Sequence, residues 1–204
     1  MRMKKLFIGA ASAVISALML SANVSAASTH TVVSGDSMWK IAVKYEVGLS
    51  ELKSANPQIS NFELIYPGQQ INIPSVPSSV LEFESEVIRL VNEIRVKNGL
   101  SALSHNWELS RVARYKSQDM KDNKYFSHTS PVYGAPAQMI KNFGISYRAA
   151  GENIAMGYAT PQAVVDAWMN SSGHRANILN SSYTHIGVGY VASGRYWTQM
   201  FIRK

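Results

Sequence analysis

His185-Ile-Gly-Val-Gly-Tyr-Val191 and Tyr196-Trp-Thr-Gln-Met-Phe-Ile202, joined across Ser193-Gly194, decide how most of the chain is built. Both runs are rich in β-branched and aromatic residues and bounded by turn formers, the pattern of neighbouring strands. Ahead of them, apolar residues recur at helical spacing instead. Phe83, Val87, Leu90, Val91 and Ile94 predict an amphipathic helix that stops at Asn98-Gly99. Leu109, Val112, Ala113 and Met120 predict a second helix after Asn106. Ala135 to Phe143 predicts a third, closed by Gly144. Thr160-Pro161, an N-cap followed by proline in the first turn, opens a fourth that carries Val164, Val165, Ala167 and Trp168. Helices first and strands late give an α+β layered domain over residues 80–204.

Upstream, Ser75-Val76-Pro77-Ser78-Ser79 breaks all periodicity, and the domain boundary is placed there, at 75–79. Residues 30–74 form a smaller unit that reads strand, helix, helix, strand. His30 to Val33 is β-prone, and Gly35-Asp36-Ser37 is a turn with two candidate helix caps. Met38, Ile41, Ala42 and Tyr45 repeat at helical spacing. Ser50 is expected to cap a second helix that Asn56-Pro57 ends. Pro67-Gly68 turns the chain into the strand Ile71-Asn72-Ile73.

The first 26 residues have the form of an export signal. Arg2, Lys4 and Lys5 precede an apolar run from Leu6 to Leu20, and small residues lead to Ala26, after which cleavage is expected. The run falls short of the ~20 apolar residues that span a bilayer, so no permanent membrane anchor is expected. The chain has no cysteine, which excludes disulfide-built scaffolds and cysteine nucleophiles. The formal charge of +7 includes the three basic residues of the export segment. From Pro131 onward there are six basic residues and only two acids, Glu152 and Asp166, but no basic stripe, so nucleic acid is a poor partner.

The smaller unit resembles a LysM domain. The resemblance rests on His30-Thr-Val-Val-Ser-Gly-Asp-Ser-Met-Trp-Lys-Ile-Ala42, Leu52 to Pro57 and Tyr66-Pro-Gly-Gln-Gln-Ile-Asn-Ile-Pro74, in order. It implies a βααβ module that binds N-acetylglucosamine polymers such as peptidoglycan and chitin. It also implies a glycan groove between Gly35, Asp36, Ser37 and Met38 on one turn and Asn56, Pro57, Gln58 and Ile59 on the other. The unit's acids and lysines nearly balance, as suits a neutral sugar held by oriented backbone groups. Trp39 reads equally as helix core and as a surface for stacking on sugar.

The larger domain resembles the CAP superfamily of cysteine-rich secretory, antigen 5 and pathogenesis-related-1 proteins, in its compact bacterial branch. The motifs are Phe126-Ser127-His128, Gly151-Glu152-Asn153-Ile154, Ser172 to Leu179, Ile186 to Tyr190 and Tyr196-Trp197-Thr198-Gln199. The resemblance implies an α-β-α sandwich with a central cleft that holds two histidines and two glutamates. His128 and Glu152 match that set. Ser171 and Tyr196 stand where the other glutamate and histidine would be, and His174 belongs to the Gly-His-Arg motif. If the helix after Thr160 continues, Ser171 and His174 share its face.

Three roles fit His128, Glu152 and His174: a structural polar network, a divalent metal site such as zinc, and general acid–base catalysis. The three lack the local spacing of a zinc helix, so a metal rests on the resemblance alone. Ser50-Glu51-Leu52-Lys53 has an acyl-enzyme spacing but lies inside the LysM pattern, and no Gly-x-Ser-x-Gly elbow occurs. His30, His105 and His185 have no motif context. The expected function is a secreted, wall-associated and non-enzymatic binding protein. Its CAP cleft would face a protein, lipid or glycan partner. The alternatives are a metal-assisted hydrolase using that cleft, and a spore envelope or cortex protein.

Overall fold

A computed structural model describes residues 28–204, so the expected export segment lies outside the described residues. The first module pairs strand β1 (Ser28–Thr31) antiparallel with β2 (Gln70–Ile73) around helices α1 (Met38–Lys44) and α2 (Leu49–Ser54). Val32, Met38, Ile41, Ala42, Leu52, Ile71 and Ile73 form its core. Ser37 caps α1 through a bond from the Lys40 amide, while Gly48, not Ser50, occupies the N-cap position of α2. Ser50 is the second residue of the helix, its hydroxyl donating to Glu51.

The second domain begins with α3 (Ser78–Lys97), so Ser78 and Ser79 belong to a helix rather than to the expected linker. It continues through β3 (Ser104–His105), α4 (Trp107–Asp122), α5 (Pro136–Asn142) and β4 (Ala149–Met156). Next come α6 (Pro161–Met169), α7 (Ser172–Ile178), β5 (His185–Val191) and β6 (Tyr196–Arg203). The sheet order is β3-β5-β6-β4, antiparallel except where β3 joins β5.

Alternation along the strands divides two cores. Ile186, Val188, Tyr190, Trp197 and Phe201 pack with Val87, Val91, Trp168 and Ile178 of α3, α6 and α7. Met200 and Ile202 face Leu109, Val112, Ala113, Met139 and Ile140 of α4 and α5. Fully burying one such side chain contributes about 1.5–3 kcal/mol. The glycines in Ile186-Gly-Val-Gly-Tyr190 set the second layer. A Cβ on Gly187 would lie 2.4 Å from the α4 backbone, and one on Gly189 2.1 Å from it.

Beyond its two residues paired with β3, strand β5 is an open edge, and side chains close it. The Val188 amide donates to Ser110 Oγ (3.1 Å) and the Tyr190 amide to Glu84 Oε1 (3.0 Å). Arg114 in turn holds Glu84 at 2.7 Å.

Strand β4 is the element that pattern reading misses, because Ala149-Ala-Gly-Glu-Asn-Ile-Ala-Met156 lacks both alternation and β-branched density. The fourth expected helix also does not continue. It ends at Met169, and Ser171, in extended conformation, is the N-cap of a new helix. Ser171 and His174 therefore do not share a face of α6.

Candidate functional site

The α4 helix prepares the site. Lys116 interrupts the helix's apolar stripe and is 1% exposed. Its ammonium donates to Tyr125 OH (2.9 Å), Ser127 O (2.7 Å) and His128 O (2.9 Å), filling all three donor places. One turn further on, Asp119 accepts from Ser130 Oγ (2.6 Å), Asn123 Nδ2 (2.7 Å) and the Tyr125 hydroxyl. Together they pin the segment that follows α4, and with it His128.

Glu152 projects from β4 toward the α4 layer, since its register partner Met200 belongs to that core. His128 Nδ1 donates to Glu152 Oε1 at 2.7 Å, which leaves Nε2 as the lone-pair nitrogen of the neutral ring. The His128 side chain is 54% exposed and that of Glu152 1%. The pair spans the boundary between solvent and core. Glu152 Oε2 is buried with no hydrogen-bond partner among the described residues.

Burial pushes the Glu152 carboxyl up, against the pull of His128 and Lys116. The hydrogen bond to Glu152 pushes His128 up, and burial opposes it. Burial lowers Lys116, while the charges of Glu152 and Asp119 resist that shift.

His174, the third residue of α7, is half-buried. Burial, and then the charge of His128, push its imidazole down. No hydrogen bond joins its ring to His128 or Glu152. Its carbonyl accepts from Asn153 Nδ2 (3.1 Å), and Asn153 also bonds Gln199 (3.0 Å) and Asn177 (2.8 Å). Asn177 ties α7 to the Glu152 carbonyl at 3.1 Å. The structure thus joins two of the three expected residues and leaves the third beside them.

Among the described residues no three His, Asp or Glu side chains are grouped so as to hold a metal ion. The expected set of His128, His174 and Glu152 is not grouped in that way, although the Nδ1 bond to Glu152 leaves His128 Nε2 free. Tyr196 lies at the start of β6 opposite Met156, and Ser171 caps α7. Lys116 was not anticipated, although a lysine in the stripe Leu109, Val112, Ala113, Met120 is a readable signal.

In the first module one expected glycan turn directly precedes α1 and the other directly follows α2. Gly35 (φ 89°) needs its glycine, and Asp36 braces its turn through His30 Nε2 (2.8 Å) and the Val33 amide (2.9 Å). The side chains of Met38 and Asn56 are buried and Ile59 is half-buried, while Pro57 and Gln58 are exposed. A cleft of about 410 Å³ runs beside Gln58 and Ile59, walled by Leu64 and Tyr66. Trp39 is 63% exposed, so it is not core.

A four-stranded sheet between two helical layers, with Glu152 of its edge strand bonded to His128, is the arrangement that the CAP resemblance implies. Residues 88–201 match the model of the Cysteine-rich secretory protein family, CAP, and the chain belongs to it. Residues 30–74 match the LysM domain. The protein YkwD of Bacillus subtilis (strain 168) is 61% identical over 130 residues, 64% of this chain and 51% of that one. An extracellular protein containing a SCP domain from Bacillus anthracis str. Ames superposes with TM-score 0.60 at 36% identity. That match covers 68% of this chain and 47% of that one.

The LysM region also matches SpoIVD-associated factor A of Bacillus subtilis (strain 168), 54% identical over 46 residues, 22% of this chain and 12% of that one. N-acetylmuramoyl-L-alanine amidase sle1 of Staphylococcus epidermidis is 37% identical over 73 residues, 36% of this chain and 22% of that one. The chain spans about half the length of the first two curated relatives it matches. LysM and CAP domains together fit a cell-wall-associated protein. Among the described residues no helix is long and apolar enough to cross a membrane.

Proposed function

We propose that this is an exported protein retained on the wall by its LysM module, with a CAP cleft that binds a partner rather than turning it over. The internal bracing of the two glycan turns carries the reading. Their own side chains, Asp36 and Asn56, brace them from within, so backbone groups are left to meet a neutral sugar chain. The amidase relative supports the same ligand, N-acetylglucosamine-containing peptidoglycan. The unpartnered Oε2 of Glu152 supports binding at the second site, because a ligand donor reaching it would relieve a buried acceptor.

Sedimentation of the full chain with purified peptidoglycan tests the wall address. The expected result is transfer to the pellet and release by N-acetylglucosamine oligomers. A chain that stays in the supernatant refutes it.

One observation favours a hydrolase as the second reading: a carboxylate orients His128 so that Nε2 is free to take a proton. Turnover of muropeptides or peptides that survives both His128→Ala and His174→Ala would reject that assignment. The likeness to SpoIVD-associated factor A favours a spore envelope as one setting. Following a fluorescent fusion through sporulation separates it from the vegetative wall.

A further inference from the structure

We propose that the CAP domain docks on the elbow of the LysM hairpin, making the two modules one rigid body with the glycan turns outside the seam. The seam is built around Arg111 of α4. Its guanidinium donates to both carboxylate oxygens of Glu51 (2.5 and 2.9 Å) and to Ser50 Oγ (3.0 Å). It also lies 5.5 Å from the Tyr115 ring centre and 5.1 Å from that of Phe143. A lone exposed ion pair would carry little weight. This one is bidentate, ring-flanked and mostly shielded, with side-chain exposures of 19% and 26%.

Gly48 is an independent observation. Its φ of −72° is open to any residue, so its backbone does not require glycine. A Cβ there would sit 2.1 Å from Arg111 Nε and from Glu51 Oε2. The guanidinium of the other domain occupies the space a side chain would take. The connection Pro74-Ser75-Val76-Pro77 closes one side of the seam, its two prolines limiting its freedom. Between them lies a cavity of about 520 Å³ walled by Val47, Val76, Val80, Tyr190 and Val191. So short a tether also keeps the two surfaces at a high effective concentration, so a modest contact holds them together.

Topology sets the consequence. Helix α1 follows the Gly35 turn, α2 precedes the Asn56 turn, and the elbow at Tyr45 to Gly48 joins the two helices. Docking at Gly48 to Glu51 therefore engages the elbow, and neither glycan turn lines the seam. The CAP cleft is then carried at a fixed position relative to the bound wall.

Backbone nitrogen-15 relaxation on the full chain tests the docking. One rotational correlation time is expected for both modules. Arg111→Glu should shorten that of the LysM amides alone, and adding Glu51→Arg should restore the common value. Glu51→Gln, on the other side of the seam, should give the same release and serves if Arg111→Glu does not fold. Two correlation times in the unaltered chain, or a common one that survives both single changes, would overturn the docking.

Sedimentation with peptidoglycan tests the orientation, which rests on the LysM reading above. Released and unaltered chains should pellet equally, and a changed pelleted fraction in folded variants overturns the placement of the glycan turns outside the seam. If the unaltered chain does not pellet, the LysM reading fails, and the relaxation data still decide the docking.

Discussion

Asn56 in the LysM module and Glu152 in the CAP domain are both buried polar residues, and their surroundings differ in kind. Asn56 Nδ2 donates to Leu52 O (2.7 Å) and Asn72 O (2.8 Å), and Oδ1 accepts from the Asn72 amide (2.7 Å) and Gln58 (3.1 Å). All four places of the amide are filled. The Glu152 carboxylate makes one bond, to His128, and keeps a second buried oxygen without a partner among the described residues. A satisfied buried group stabilises a shape, whereas an unsatisfied one costs stability that only a further partner recovers. The module that is proposed to hold glycan therefore uses its buried polar side chain as scaffold and meets ligand with its turns. The CAP domain keeps an uncompensated acid at its site.

The sharpest break of that contrast is Asn56→Ala. It leaves the Asn72 amide and the Leu52 carbonyl without their partner in a fully buried setting. The cost should be about 3 kcal/mol, from buried groups at about 1–3 kcal/mol each. So small a module has little stability in reserve. The LysM amides should lose chemical-shift dispersion while those of the CAP domain keep theirs. Retained dispersion in both would mean that Asn56 is not the scaffold its bonds describe.

Lys116→Met comes next in size. Lys116 is a buried charge with all donors used, the CAP counterpart of Asn56. A near-isosteric apolar side chain removes its bonds to Ser127 O and His128 O without opening a cavity. About 2 kcal/mol should be lost from CAP unfolding in denaturant. The His128 ring signals should broaden as the segment after α4 loosens. A sharp, unshifted His128 would show that Asp119 alone pins that segment.

Legibility in the sequence divides along a related line. Helices α3 to α6 and strands β5 and β6 were readable because apolar period, Asn106 and Thr160 caps and the Gly99 and Gly144 stops agree. β4 was not, because it is rich in small and polar residues and is held as a strand by β6, and pairing of that kind leaves no local pattern. The motifs led to His128 and Glu152, whose 2.7 Å contact joins residues 24 apart in the chain. His174 comes from the Gly-His-Arg motif, and only its shared face with Ser171 depends on a continuing helix, which the extended backbone at Ser171 interrupts. Trp39 offered two readings, and only its exposure separates them.

The smallest change in stability and the most specific readout belong to Glu152→Gln. The hydrogen bond to Glu152 raises His128, and burial raises Glu152, so the folded pair holds protons more tightly than the unfolded chain. A raised histidine contributes stability that is fully present below its unfolded value of about 6.5. That contribution is lost as pH rises through the higher folded value. The raised carboxyl has the same sign, its contribution present below the ordinary carboxylate range and lost as pH rises through its own folded value. The glutamine carbonyl still accepts from Nδ1 but carries no charge, so global stability should change by less than about 1 kcal/mol. Burial is then the dominant influence left on His128, and its titration midpoint, followed through the ring proton between the nitrogens, should fall. An unchanged midpoint would mean that Glu152 does not hold the proton on His128. The contrast with Asn56 would then vanish, because Glu152 too would be scaffold.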